Sequence, residues 1–292
     1  RDLRMSRGLG DVYKRQFQFD HSFVLNSLKS SMEGYVFHNQ PLDTDDLLEQ
    51  TVKLFNSCKT SLELFDMLHN MRAYDDSTYA HSLNVALICR RIGKWLKVDA
   101  ATLDTLTLCG LLHDIGKLKI PDEILNKPDK YTDEEFDLVK RHTKFGYELL
   151  KTLNIDPHIK KAALLHHERC DGSGYPLKAT QKDLDDFSMV VAIADVYDAM
   201  TAARSYRAPL CPFQVIERFE QEGLQKYKPK FILTFLQHIA STYQNNRVLL
   251  SNGQSANIVM LNQQHLARPI VQFKSFVGGT NPNTPKMFAI PM

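Results

Sequence analysis

The feature that most constrains the fold is helical periodicity, which runs through most of residues 77–240. Apolar residues recur there at spacings of three and four, and short loops with Gly, Pro or Asp separate the periodic segments. Thr132 with Glu135 and Asp156 with Pro157 are helix-start signals. The pattern predicts a mainly α fold, a helical bundle. Its helices are 77–97, 100–114, 132–152, 157–168, 187–203, 212–222 and 229–243, preceded by helical segments from Pro41 and over Leu62–Arg72.

The C-terminal part of the chain follows a different pattern. After Tyr243 the apolar period changes to two, with short β-rich runs around an Asn252-Gly253 turn. This predicts a small β appendage of two or three strands over 247–276. The last stretch, 277–292, is rich in Gly, Pro and Asn and is expected to be frayed.

The first sixteen residues carry most of the positive charge. They hold five basic and two acidic side chains, so their charge is +3 and the remainder, from a total of +2, is 2 − 3 = −1. The segment lacks apolar periodicity and resembles translated sequencing-adaptor sequence; the alternative is a flexible basic linker from an upstream domain. We treat 1–16 as an extraneous or disordered tail, 17–53 as a helical or linker segment and 54–246 as the main domain.

Composition narrows the class of protein. Apolar residues make up 43% and charged residues 24%, ordinary values for a globular protein, and a nearly neutral body argues against a DNA or RNA partner. Five cysteines without paired spacing fit a reducing compartment, so we expect a cytoplasmic protein. The longest apolar stretch, 189–200, contains two carboxylates, which argues against a membrane span in this chain.

Side chains of metal-ligand type lie on the inward faces of five predicted helices. They are His81, His113, Asp114, His142, His166, His167 and Asp195. A single histidine on an apolar face is more often a hydrogen-bonded core residue, but Asp195 lies in a run so apolar that it needs a buried partner. Helix 187–200 carries no basic residue, so a metal is the simpler explanation. Five imidazoles and two carboxylates suit first-row ions and exceed the needs of one ion.

Features beside these residues suggest a phosphate substrate. Lys117 follows Asp114 by one turn, and Gly116 allows close backbone approach. Arg204 and Arg207 end the helix of Asp195, although basic residues at helix C-termini also complement the macrodipole. The sequence DGSGYP at 171–176 follows His167 and forms either an ordinary tight loop or a rigid lip beside the metal pocket.

These motifs resemble those of a known enzyme family. His81, HDIGK at 113–117 and Asp195 are similar to the pattern of the HD superfamily of metal-dependent phosphohydrolases. His142, HHE at 166–168 and DGSGYP resemble the HD-GYP subfamily, as do IPDEILNKP at 120–128 and ADVYDAMTAARSYR at 194–207. The resemblance covers about residues 54–246. It implies a bundle built on the five-helix HD core, with extra N-terminal helices and the β appendage.

The resemblance also implies an activity and a set of residue roles. The activity is hydrolysis of cyclic di-GMP to linear pGpG, and then to GMP in some members, by attack of metal-activated hydroxide at a dinuclear iron or manganese site. All seven metal-ligand residues carry over, with Asp114 bridging and His113, Asp114 and Lys117 as the catalytic set. Substrate positions are Lys117, Asp198, Arg204, Arg207, Gly174 and Tyr175. A loop of Asp171, Gly172, Gly174, Tyr175 and Pro176 is implicated in contacts with diguanylate cyclases.

One position departs from some members of the family, and several interpretations stay open. Ser77 stands where those members have a glutamate that helps to hold a third ion, so we expect two ions and doubt the second cleavage step. Asp75 and Asp76 are not one helical turn from His81 and do not replace that ligand. The alternatives are a cyclic di-GMP receptor without turnover, a scaffold, or a phosphohydrolase of another nucleotide. The sequence leaves homodimerisation and the metal's identity open.

Overall fold

The fold is a mainly α-helical bundle with a small β-sheet at its C-terminal end, as predicted. The computed structural model describes residues 2–71, 77–202, 209–273 and 289–290. The helices are α1 Asp2–His38, α2 Thr44–Ser57, α3 Ser61–Met71, α4 Thr78–Trp95, α5 Ala100–Leu112, α6 Asp122–Leu125, α7 Asp133–Lys140, α8 His142–Leu150, α9 Pro157–Leu165, α10 Asp186–Thr201, α11 Pro212–Glu222 and α12 Pro229–Thr242, with 3₁₀ turns at Ile115–Lys119 and Leu224–Lys226. None of the described helices is long and apolar enough to cross a membrane.

Helices α4 and α10 form the centre of the bundle. Both are buried on nearly every side, and α4 packs against α5, α10, α12, α1 and α2. A helix that is buried on most of its faces needs such a position, since it has little surface to offer to water. One continuous cluster of buried side chains extends from Phe17 in α1 to Ala267 beyond the second strand. The N-terminal helices, the bundle and the sheet therefore share one core.

Local side-chain contacts set several helix starts as predicted. Thr132 and Glu135 form a reciprocal capping box before α7. The Asp156 carboxylate accepts from the His158 amide, with Pro157 in the first helical position of α9.

The predicted helix 132–152 is instead two helices. Helix α7 ends at Lys140 and α8 begins at His142, because the Arg141 amide donates to Leu138 O over a tighter, three-residue turn. The predicted helices 100–114 and 157–168 also end early, at Leu112 and Leu165. These early ends leave carbonyl oxygens free beside the functional residues described below.

The ends of the chain also differ from expectation. Helix α1 begins at Asp2, so the backbone of 2–16 is helical rather than disordered; no proline interrupts it, and it continues a helix anchored by Phe17, Val24 and Leu28. Whether that segment is extraneous stays a prediction. Strand β4, Ala289–Ile290, lies within the stretch expected to fray, because Leu249 and Leu250 offer it parallel partners. The other residues of 277–292 lie outside the described part.

The C-terminal sheet has the strand order β3-β2-β1-β4. Strands β1 Arg247–Leu250, β2 Ser255–Met260 and β3 Ile270–Phe273 pair antiparallel, with Arg247 opposite Asn257, and the predicted Asn252-Gly253 turn joins the first two. Gly253 takes a φ of 79°, which the turn requires. The segment after β2 is tied to α11, where Arg268 pairs with Glu217 at 2.7 Å.

Candidate metal centre

The structure brings the seven predicted metal-ligand residues to one place in the bundle. Two of them lie within helices, His81 in α4 and Asp195 in α10. The other five lie at helix ends: His113 and Asp114 follow α5, His142 begins α8, and His166 and His167 follow α9. Short helices that end at a common point therefore present their terminal side chains to a shared centre.

The Asp114 carboxylate lies between two groups of imidazoles. Its Oδ2 atom is 3.6 Å from His81 Nε2 and 3.3 Å from His113 Nε2. Its Oδ1 atom is 3.4 Å from His142 Nε2 and 3.7 Å from His166 Nε2. His81, His113 and Asp114 form one cluster with metal-ligand spacing, and Asp114, His142, His166 and His167 form the other. We call these clusters the first and second half-sites; Asp114 belongs to both.

Asp195 is a second carboxylate that contacts both half-sites. One carboxylate oxygen is 3.0 Å from His81 Nε2 in the first half-site, and the other is 3.8 Å from His167 Nδ1 in the second. The buried partners that the sequence argument required for Asp195 are therefore imidazoles.

Backbone carbonyl groups at the helix ends orient three of the imidazoles. The Nδ1 atoms of His113, His142 and His166 lie 2.7, 2.6 and 2.9 Å from the carbonyl oxygens of Gly110, Val139 and Ala162. A carbonyl oxygen only accepts, so each Nδ1 carries the proton and donates. Each Nε2 atom is consequently a lone-pair acceptor that faces the centre, the orientation in which metal-binding histidines are held.

The orientation of these rings fits a bound cation. His142 Nε2 and His166 Nε2 are 3.2 Å apart, and with both protons on Nδ1 neither nitrogen can donate to the other. His113 Nε2 and Asp114 Oδ1 are buried and have no hydrogen-bond partner. Facing acceptors repel one another unless a positive charge lies between them, so imidazole and carboxylate donors in this arrangement match divalent transition-metal ions.

Burial and neighbouring charges lower the pKa values of six of the seven groups and raise that of His113. Burial lowers the pKa of His142 to about 4 and also lowers the pKa values of His81, His166 and His167. Burial opposes ionisation of Asp114, but the Lys117 ammonium and the His113 imidazole outweigh it and hold that carboxyl's pKa well below its usual range. Neutral imidazoles and charged carboxylates are the protonation states that metal binding requires.

The centre is closed at its base and open on one side. The side chains of His113, Asp114, His142 and His166 are at most 1% exposed, whereas His81 and His167 reach 15% and 19%. Lys117 also lies on the open side, 23% exposed, with Nζ 2.5 Å from Asp114 Oδ2. Gly116 lets the 3₁₀ turn approach α8, because a Cβ atom there would lie 1.9 Å from His142 O.

Asp198 lies behind His81 rather than on the open side. Its carboxylate oxygen Oδ2 is 2.7 Å from His81 Nδ1, and the residue is 2% exposed. Since Asp198 and Asp195 are three residues apart in α10, their carboxylates contact opposite ring nitrogens of one imidazole. Sequence reasoning placed Asp198 in the substrate pocket; the structure places its carboxylate against the His81 ring, and a substrate role for it stays a prediction.

The Gly-Tyr-Pro loop folds directly over His167. The Tyr175 ring stacks on the His167 ring at a centroid distance of 4.7 Å, and the Tyr175 amide lies 3.3 Å from His167 O. Gly174 has no room for a side chain, since a Cβ atom would lie 2.4 Å from Glu168 Cα. Gly172 has a φ of 78°. Glu168, which sequence reasoning passed over although it completes HHE, is 2% exposed and lies inside this loop.

Arg204 and Arg207 lie outside the described residues, as do Asp75 and Asp76. Ser77 is the N-cap of α4, where its hydroxyl accepts from the Ala80 amide at 3.2 Å.

Comparison with known proteins identifies relatives of the chain. The HD domain family model matches residues 46–231, more than half of the chain. The chain is 34% identical over 183 residues to a 3′3′-cGAMP-specific phosphodiesterase of Vibrio cholerae, 62% of this chain and 35% of that protein. It is 32% identical over 206 residues to a cyclic di-GMP phosphodiesterase of Pseudomonas aeruginosa. That alignment covers 70% of this chain and 50% of the relative. A cyclic di-GMP phosphodiesterase of Thermotoga maritima is 35% identical over 178 residues, which cover 60% of this chain and 48% of the relative.

The chain thus spans half or less of the length of these relatives. Among solved structures, an HDG"Y"P protein from Bdellovibrio bacteriovorus is similar with a TM-score of 0.61 and 18% identity, covering 75% of this chain and 71% of that one. At that identity the likeness concerns the fold. The match over 46–231, together with the HDIGK, HHE and DGSGYP motifs at one centre, shows that the chain belongs to the HD domain family, with the motifs of its HD-GYP subfamily.

Proposed function

We propose that this protein is a metal-dependent phosphodiesterase that hydrolyses cyclic di-GMP to linear pGpG. The observation that carries the proposal is the Asp114 carboxylate shared between two imidazole clusters, with Lys117 beside it on the open side. Relatives at 32–35% identity named as cyclic di-GMP phosphodiesterases support the substrate. In the reaction, water adds to one phosphorus and the bond to a 3′-oxygen breaks.

Two divalent transition-metal ions, iron or manganese, would occupy the half-sites. His81, His113, Asp114 and Asp195 would hold one ion, and Asp114, His142, His166 and His167 the other. Ions bound there lower the pKa of water towards neutrality and neutralise charge on phosphate oxygens, which is the chemistry that phosphodiester hydrolysis needs.

Residues on the open side take the substrate roles. Lys117 holds a non-bridging phosphate oxygen, since its ammonium is the partly exposed cation beside the half-sites. Tyr175 and Gly174 border the same opening through the contact with His167. Arg204 and Arg207 hold phosphate or guanine in the family resemblance. Asp198 acts through His81, whose Nδ1–H it accepts.

The proposed product is pGpG. The N-cap position of α4 carries the Ser77 hydroxyl, which is occupied with the Ala80 amide, rather than a carboxylate directed at the first half-site. A third ion therefore lacks the ligand that some family members supply there, and the proposal is a dinuclear site without the second cleavage.

3′3′-cGAMP is the second candidate substrate. Relatives named as 3′3′-cGAMP-specific phosphodiesterases are 34% and 36% identical to the chain, as similar to it as the cyclic di-GMP enzymes. Both compounds are cyclic purine dinucleotides with two phosphodiester bonds. They differ in one base, so the same half-sites serve either reaction.

Location and partners belong to the same proposal. The five cysteines are buried thiols outside any disulfide, which fits a reducing, cytoplasmic setting. The loop over 171–176 lies at the surface beside the exposed Leu177, a position suited to contact with a diguanylate cyclase. Homodimerisation stays a prediction for sedimentation analysis.

The test is metal analysis and turnover on one anaerobically purified sample. We expect about two equivalents of iron or manganese and chromatographic conversion of cyclic di-GMP to pGpG, with 3′3′-cGAMP assayed in parallel. Faster turnover of 3′3′-cGAMP would reassign the substrate. Bound metal with saturable cyclic di-GMP binding but no product would replace the enzyme proposal with a receptor.

A further inference from the structure

We infer that Glu168 is a positioning residue that holds the Gly-Tyr-Pro loop, and with it Tyr175, against the ligand His167. Part of the inference rests on the proposed function, because its kinetic test needs a substrate. The structural part rests on contacts that exist whether or not the chain is an enzyme.

The first step is the pair of contacts that the Glu168 carboxylate makes. Oε1 accepts from the Leu177 amide at 2.5 Å, and Oε2 accepts from the Ala179 amide at 3.0 Å. Hydrogen bonds from backbone N–H groups to a charged carboxylate are short and strong. At 2% exposure water competes little for these oxygens, so both bonds keep their strength.

The second step is the shape of the loop. Its two ends meet at a β-bridge between Asp171 and Thr180, and the Gln181 amide donates to Cys170 O beneath that bridge. The Glu168 side chain contacts the far strand of the loop, whereas Gly174 in the near strand touches the Glu168 backbone. One residue therefore fixes both strands of the loop from inside.

The third step connects the loop to the metal centre. Glu168 follows His167 directly, so the residue that fixes the loop is adjacent in sequence to a ligand of the second half-site. Tyr175 lies between Gly174 and Pro176, which are both inside the fixed segment, and stacks on the imidazole of His167. If the carboxylate released the loop, Tyr175 would lose its fixed place at the opening of the centre.

The variant to make is Glu168→Gln, which keeps the shape but replaces one acceptor oxygen with an NH₂ group that faces a backbone N–H. A matched control is Glu220→Gln, since Glu220 accepts from the Leu266 amide at 3.2 Å far from the metal centre. The first readout is amide hydrogen exchange. We expect slow exchange at Leu177 and Ala179 in the wild type, although the Leu177 side chain is 57% exposed, and fast exchange in the variant.

The second readout separates positioning from a general loss of structure. In Glu168→Gln we expect KM for cyclic di-GMP to rise about fivefold, the value of one aromatic contact, with little change for the small diester bis(4-nitrophenyl) phosphate. If Glu168 acts through Tyr175, the variant with both Glu168→Gln and Tyr175→Leu has the KM of Tyr175→Leu alone. A merely structural role would make the two effects add.

Each outcome decides a different point. Fast exchange of the Leu177 and Ala179 amides in the wild type overturns the inference, and that measurement needs no folded variant. Additive KM effects overturn the link to Tyr175. A wild type that hydrolyses neither compound contradicts the proposed function, while the exchange data still decide the role of Glu168.

Discussion

At the scale of single residues, Asp114 contributes most to the centre, because each of its oxygens faces a different half-site. Asparagine keeps the shape of the side chain and removes its charge. In Asp114→Asn we expect metal content to fall to less than one equivalent and turnover to fall by more than about 100-fold, the upper range for loss of an outer-shell partner. Plasma emission analysis and the pGpG assay measure both quantities.

The control for that variant is Asp137→Asn on α7. Asp137 is 72% exposed and pairs with Lys140 on the protein surface, so its loss leaves the centre intact. If Asp114→Asn bound two equivalents of metal and turned over at the wild-type rate, the shared carboxylate would have no function in the centre.

Asp198 gives a second prediction at this scale. Its contact with His81 Nδ1 fixes the ring so that Nε2 faces the first half-site. Asp198→Ala is expected to weaken metal binding by about 10–100-fold, and Asp198→Asn, which keeps an acceptor oxygen, by less. Titration of the stripped protein with manganese measures the affinity. Asp104→Asn, which removes the negative charge that pairs with Arg90, should bind metal normally.

At the scale of elements, the close approach of the 3₁₀ turn to α8 joins Lys117 to His142. A Cβ atom at Gly116 would lie 1.9 Å from His142 O and 2.4 Å from Gly146 N, whereas one at Gly146 would meet only ordinary contacts of 3.4 Å or more. Gly116→Ala should therefore lower the free energy of unfolding by about 1–3 kcal/mol, and Gly146→Ala by much less. Urea denaturation compares them, and equal losses would contradict the packing described.

Among the helices, the starts were predictable from the sequence, whereas the break at Arg141 was not. Thr132 and Asp156 indicate helix starts because a cap is a contact between residues only two or three apart in the chain, which the local sequence determines. The break at Arg141 gave no such signal, since Leu138 and Phe145 continue the apolar spacing and neither Gly nor Pro interrupts them. Yet at that break Val139 O accepts from the His142 ring.

The candidate site was predictable to a similar degree. The inward faces of the helices predicted which residues meet, because periodicity reports burial. The position of Asp198 behind His81 depends on how α10 packs against α4, a contact between residues 117 apart in the chain. The segment 17–53 was left open between helix and linker, although Phe17, Val24, Leu28 and Met32 recur at helical spacing in α1. That stripe was the available signal.

At the scale of the whole molecule, the buried imidazoles make stability depend on pH. The unfolded chain protonates His142 near pH 6.5, whereas the folded chain does so near pH 4. Between these values the unfolded state holds more protons, so stability falls as pH falls, by about 3 kcal/mol for this group alone. His81, His166 and His167 act in the same direction, because their pKa values are also lowered.

Two other contributions have their own windows. Burial lowers the pKa of His113, but the nearby Asp114 charge outweighs burial and raises it. His113 therefore stabilises the folded state most at low pH, opposite to the effect of the other imidazoles. The lowered pKa of Asp114 gives stability that is lost only below about pH 4. We therefore expect the Tm of metal-stripped protein to fall between pH 7 and pH 5. His142→Gln should show a shallower decline, and an equally steep one would contradict the assignment.

In the proposed dinuclear site, the sharing of Asp114 would have a consequence for both ions. A carboxylate that serves both half-sites makes their occupancies thermodynamically linked rather than independent. Whatever factor the first ion applies to the affinity of the second, the second applies to the first, because linkage is reciprocal. If each ion raises the affinity for the other, scarce metal would leave this protein in a mixture of empty and doubly loaded forms. If each ion lowers the affinity for the other, scarce metal would leave it with one ion bound.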